Sequence, residues 1–326
     1  MDTRLNNEVA NVILENLPPN IKSIDYLMET LHISRESAYR RMRSNISFSF
    51  EEVALLSEKL KFSVNDIIGI QPNRERISFI LQKTLPVTDV QNHFLSVFDG
   101  YFSTVKKMYD ASRAELLVSS HSLPLSLLTQ HESLFKLFYC KWLHQSGIPA
   151  RTYAEILLSP EINAIRTQFV EKIKNIQNTT FVLGRHLFLP FIREIQYCSK
   201  LLSMTGEDIN VLKNDLLALL DTFERVVRQG DQTFGVTCNI YVSFMDIEIN
   251  SSHLNYDEEC ASQYCIHGIN SIVINNENLC TRHKNWFDHL KKSSMLITQS
   301  NEIIQMQFLN KQREYIETIT EDLLLY

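Results

Sequence analysis

LHISRESAYRRMRSN, Leu31–Asn45, sets four arginines against one acid, Glu36, between Ser34 and Ser47, in a chain of net charge -6. An acidic chain opposes a polyanion unless its basic residues are gathered locally, so the placement of these arginines matters more than the sum. At 100 degrees per residue, Ala38 and Met42 fall on one side of a helix capped by Ser34, while Glu36, Tyr39, Arg40 and Arg43 cluster on the other. Arg35 near the helix start and Arg41 on the flank suit phosphate better than bases. One face buries, and the other is offered to a groove.

Outward from this segment, helix ends are readable on both sides. Val9, Val12, Ile13 and Leu17 recur at helical spacing until Pro18-Pro19 stops them. Leu27 and Leu31 form a stripe over Ile24–Leu31, with Ile33 plugging the turn that follows. In FSFEEV, Ser49 and Glu52 are spaced for a capping box, with Phe48 and Val53 as its hydrophobic staple. Ser63, Asp66, Phe62 and Ile67 repeat the device, and Gly69 ends it. Five short helices in one small unit is the expectation.

Over residues 20 to 69 this pattern resembles the phage-repressor, Cro-like helix-turn-helix family, in which a second helix enters the major groove of DNA. The resemblance implies double-stranded DNA as the partner and assigns contacts to Ser34, Arg35, Glu36, Tyr39, Arg40 and Arg43. The sequence departs from the family at Met28, where alanine is usual, at His32, where the turn usually has glycine, and at Arg41, often apolar. Histidine tolerates a positive φ better than most residues, which preserves the turn.

The polar, proline-containing run Ile70–Ile77 marks a joint between an N-terminal DNA-binding domain, 1–70, and a larger effector-sensing or oligomerisation domain, 71–326. In the larger part, helical periodicity covers about Val90–Ser112, His131–Gln145, Glu161–Asn178, Leu187–Ser203, Glu207–Gln229 and Asn301–Leu325. β-type runs are Glu115–Ser120, Thr179–Gly184, Asn239–Ile249 with a bulge near Met245-Asp246, Ser271–Asn275 as a buried strand, and Met295–Ser300. The fold class expected is α+β: an all-α helix-turn-helix bundle plus a mixed α/β domain.

Composition excludes several classes. With 44% hydrophobic and 21% charged residues, and only 8 glycines and 8 prolines, long disordered tracts are not expected. No stretch approaches a membrane span, and MDTRLNNEVANVILENL lacks the basic start of a signal peptide, so a cytoplasmic protein with reduced cysteines and no membrane partner is the expectation.

Cys260, Cys265, His267, Cys280 and His283 supply zinc-type donors, but only Cys280 and His283 have pair spacing; buried thiols and surface histidines are the preferred reading, with no metal and no cofactor. Ser119-Ser120-His121 and Asp246 with Glu248 are read as structural, no catalytic residue is assigned, and no phosphate-cradle or nucleophile-elbow motif occurs. The stripe Leu134, Phe135, Phe138, Trp142, Leu143 reads as core, and Ile304, Phe308, Tyr315 and Ile319 as a helix packed on its own domain. Together these point to a non-enzymatic transcriptional regulator, a homodimer open to a small-molecule effector. The alternative is a protein-interaction or enzymatic domain carrying a degenerate helix-turn-helix bundle.

Overall fold

The computed structural model describes residues 4–17, 21–60, 62, 67, 90–148, 152–267 and 270–321. The chain forms two compact units, Met1–Gln82 and Lys83–Tyr326, and its class is α+β. The joint expected at Ile70–Ile77 lies outside the described residues.

In the first unit, α1 (Arg4–Asn16), α2 (Ser23–Leu31), α3 (Arg35–Met42) and α4 (Phe50–Leu60) enclose Val9, Ile13, Leu27, Ala38, Val53 and Leu56. Each fully buried valine, leucine or isoleucine side chain contributes about 1.5–3 kcal/mol, and the methyl of Ala38 about 0.8 kcal/mol. The start of α4 is as expected. The Ser49 amide donates to Glu52 Oε2 at 2.9 Å, and the Glu52 amide to Ser49 Oγ at 3.2 Å. Half-buried Phe48 packs in the same core as Val53, closing the staple. Phe62 and Ile67 are buried in that core too, while Ser63, Asp66 and Gly69 lie outside the described residues.

The second unit is built on a seven-stranded sheet, among the described residues, in the order β6-β5-β4-β1-β2-β3-β7. α5 (Val90–Asp110) leads into β1 (Ala114–Ser120). Then come α6 (Leu125–Leu128), α7 (Glu132–Gln145), α8 (Pro160–Lys174), β2 (Asn178–Gly184), α9 (Leu189–Leu201), α10 (Gly206–Gln229) and β3 (Thr237–Ser243). β1, β2 and β3 run parallel, and their crossover helices pack into one core with Leu116, Val118, Phe181, Leu183 and Ile240. Phe94 stands edge-on to Phe135 and Trp142, at ring separations of 6.1 and 5.0 Å, so the aromatic stripe of α7 is core.

The remaining elements are β4 (Ser251–Tyr256), β5 (Glu259–His267), β6 (Asn270–Ile274), α11 (Glu277–Lys292), β7 (Ser294–Leu296) and α12 (Glu302–Glu317). α11 covers the opposite face of the sheet, where Phe287 and Leu290 meet Leu117 and Val182. On α12, Phe308, Leu309 and Ile316 are buried in the main core.

Four expectations need correction. The strand read as Asn239–Ile249 ends at Ser243; the exposed Phe244, Met245 and Ile249 belong to a connection that passes the carboxyl ends of β2 and β1 to reach β4, antiparallel beside β1. The apparent bulge is the end of the strand. The β4–β5 hairpin and α11 were not expected, because their inward positions carry Ser251, His253, Ser262 and His283, which break apolar periodicity. Ser271–Asn275 is a sheet edge with Val273 exposed, not a buried strand, since among the described residues β6 pairs only with β5. The run from Met295 is a strand only to Leu296.

Candidate nucleic-acid interface

α3 is built by local chemistry. Ser34 is extended, and its Oγ accepts from the Ser37 amide at 3.2 Å. Before it, His32 ends α2 in the left-handed region, φ 52 and ψ 42, the turn that glycine usually supplies. After it, Ser44 turns left-handed at φ 59, and the Asn45 and Ile46 amides both donate to the Arg40 carbonyl. A helix of eight residues is thus fixed at both ends.

Ala38 is fully buried and Met42 half-buried in the bundle core, as the helical wheel requires. Ser34, Arg35, Glu36, Tyr39, Arg40 and Arg43 are all exposed, Tyr39 at 45%. Arg40 Nη2 lies 2.7 Å from Glu36 Oε1, one turn back. The Arg43 guanidinium sits 5.9 Å above the Tyr39 ring. Ser34 spends a lone pair on its cap but keeps a hydroxyl proton to donate outward.

Arg41 corrects the sequence reading. Instead of facing outward for phosphate it is turned inward, its side chain 14% exposed, with Nε 3.0 Å from Glu52 Oε2 and Nη2 2.8 Å from Glu52 Oε1. Its Nη1 donates to Ser37 Oγ at 2.7 Å. The buried Asn6 amide reinforces this corner, donating to the Arg41 carbonyl at 3.0 Å and accepting from the Phe48 amide at 2.8 Å. The outward face therefore carries three guanidinium groups, Arg35, Arg40 and Arg43, with a tyrosine and a carboxylate. That face can fork an arginine onto guanine, accept from cytosine and bond phosphate.

The other candidates are scattered or internally satisfied. His283 is 5% exposed, with Nε2 3.1 Å from Ser251 Oγ and Nδ1 2.9 Å from Ser262 Oγ. Ser251 Oγ is 2.9 Å from Ser119 Oγ, and His253 Nδ1 is 3.4 Å from Ser262 Oγ. This buried polar chain under α11 was not anticipated; alternate inward polar residues on β4 were its one sequence signal. Burial holds both imidazoles at a pKa of about 4, His253 being further lowered by Lys284, and His283 by His253.

Buried Cys280 donates its thiol to the Ile274 carbonyl at 3.4 Å. No three His, Cys, Asp or Glu side chains converge to hold a metal among the described residues. Asp246 and Glu248 are exposed on the β3–β4 connection, and His121 Nδ1 lies 2.8 Å from Asn250 Oδ1. None of these groups is drawn into a nucleophile–base pair open to solvent.

Among the described residues no helix is long and apolar enough to cross a membrane. Compared with family models, curated proteins and solved structures, the chain matches none.

Proposed function

We propose that the chain is a cytoplasmic transcriptional regulator that binds double-stranded DNA in a sequence-specific manner through the outward face of α3. The observation that carries this reading is the division of the arginines. Arg41 is buried on Glu52 and stabilises the bundle, whereas Arg35, Arg40 and Arg43 stand outside with Tyr39 around a helix whose other side is core. A merely solvated face gives no reason for a tight left-handed turn and a capped helix to carry those residues together. In the proposed complex Arg40 exchanges Glu36 for a base edge or phosphate, Arg35 and Ser34 bond phosphate at the helix start, and Tyr39 and Arg43 flank the groove. The larger unit binds a small-molecule effector or joins two copies, so that a homodimer occupies two half-sites about one helical turn apart.

The test is selection from a pool of random duplexes with the full chain, followed by anisotropy titration of the enriched sequence at several salt concentrations. A regulator enriches a sequence and binds it at least about 10³-fold more tightly than random duplex. Absence of enrichment, with equal affinity for all duplexes, removes the regulator reading.

A further inference from the structure

The sheet of the second unit ends on two unlike edges. β7 is three residues long and follows Lys291 and Lys292. β6 is five residues long, reads Asn-Ser-Ile-Val-Ile, and pairs on one side with β5; among the described residues no strand pairs with its other side. Natural edges are blunted by shortness, charge, proline or a covering element, because an open strand pairs with any other strand. β7 has the first of these defences, and β6 has neither charge nor proline.

β6 carries apolar side chains on both of its faces. Ile272 lies opposite Tyr264 and Val273 opposite Gln263, so Ile272 shares the α11 face and Val273 the opposite face. Val273 is 48% exposed, as is Ile266 on β5. On α11, Trp286 is 42% exposed, and it stacks on His283, whose ring lies 4.6 Å from that of Tyr264 on β5. Exposed apolar side chains thus flank the strand from its neighbours in sheet and helix.

We propose that β6 pairs antiparallel with β6 of a second copy about a two-fold axis through Ile272, making one continuous sheet across a homodimer. Two features favour a second copy as the occupant. About Ile272 the strand is self-complementary: Ile272 meets its own equivalent, and Val273 meets Ser271, with no like charges opposed. The chain also carries a net charge of -6, so two copies repel, and Asn270–Asn276 is a strip with no charged residue along which they approach at least cost. Five paired residues fall short of a standard interface of about 800 Å² per partner; Trp286 and Ile266 at the flanks supply further apolar area. The inference rests on the dimeric part of the proposed function and is independent of DNA contact.

Sedimentation of the full chain without DNA tests it. The expected result is a mass twice the 38.0 kDa of the single chain. Val273→Lys, at an exposed position, adds the charge that natural edges carry and weakens the dimer about tenfold or more, with an unchanged circular dichroism spectrum. Ile272→Cys brings two thiols across the axis and yields a covalent dimer on mild oxidation, where the unsubstituted chain yields none; this arm decides the matter if Val273→Lys misfolds. A chain that stays monomeric at high concentration, or a dimer untouched by Val273→Lys and not cross-linked through Ile272→Cys, overturns the proposal.

Discussion

Arg41 of α3 and Glu52 of α4 meet in a two-pronged ion pair, Nε to Oε2 at 3.0 Å and Nη2 to Oε1 at 2.8 Å, with side chains 14% and 17% exposed. The same Glu52 Oε2 accepts the Ser49 amide, so one carboxylate both caps α4 and fastens α3 to it. Removing it strands a largely buried guanidinium and opens the cap. Glu52→Ala is expected to destabilise the first unit by about 2–4 kcal/mol, read from urea denaturation followed by helical signal. A loss under about 0.5 kcal/mol means the pair is ornamental to the fold.

The surface arginines behave in the opposite way. Arg40→Ala with Arg43→Ala removes one exposed ion pair and one stacking contact, so unfolding is expected to move by no more than about 0.5 kcal/mol. On a selected duplex the same double variant loses about 1–3 kcal/mol for each base contact, and each lost phosphate contact lowers the salt slope by about 1. Anisotropy at three or more salt concentrations reads both. Equal affinity and slope for the variant and the unsubstituted chain take these two residues out of the interface.

His32 holds a left-handed conformation that costs a non-glycine residue about 1 kcal/mol. It is exposed, so its side chain adds little packing in return. His32→Gly is expected to raise the stability of the first unit by about 0.5–1 kcal/mol, and His32→Ile to lower it by about 1–2 kcal/mol. Thermal unfolding of the two variants checks the sign.

His253 and His283 make the second unit acid-sensitive. Each has a folded pKa of about 4 against an ordinary 6.5, because burial disfavours the charged ring. The unfolded chain therefore takes up these protons first. Their contribution to stability is complete above pH 6.5 and is lost as pH falls toward 4, at up to about 3 kcal/mol per ring. Denaturant titrations between pH 7 and pH 4.5 should show this decline, and His283→Gln should flatten it while costing about 1–3 kcal/mol at pH 7, through the two buried hydrogen bonds to Ser251 and Ser262 that it disrupts. A profile as steep as that of the unsubstituted chain assigns the acid sensitivity elsewhere.

Legibility followed the range of the interactions. Ser34, Ser49 with Glu52, and the Pro18 stop act within a few residues, so the end of α1, the span of α2 and the starts of α3 and α4 were readable, whereas the polar start of α1 at Arg4, five residues before Val9, was not. Long apolar periodicities gave α5, α7, α9 and α10 to within two residues, and β1 and β2 to within one, while α8 was read four residues too long, to the first residue of β2. The candidate interface was legible for its outward residues, since a short helix with one apolar side leaves the other side free.

Arg41 was misread because its partner, Glu52, is eleven positions away, and nothing at either position states that the two helices bring them together. The β4–β5 hairpin and α11 failed for a related reason. Ser251, His253, Ser262 and His283 are polar and should face water by their own chemistry; they are buried because strand register and helix docking let each satisfy another.

The amino-acid sequence by itself determined the capped starts of α3 and α4, the turn at His32, the aromatic core and the class of the fold, all consequences of backbone preference and apolar spacing. Only the tertiary structure decided which arginine would be buried, where the β3 strand would end, and that a chain of serines and histidines would lie under α11. Those outcomes depend on partners distant in sequence, whose pairing offsets the desolvation of polar groups only once the chain has brought them into contact.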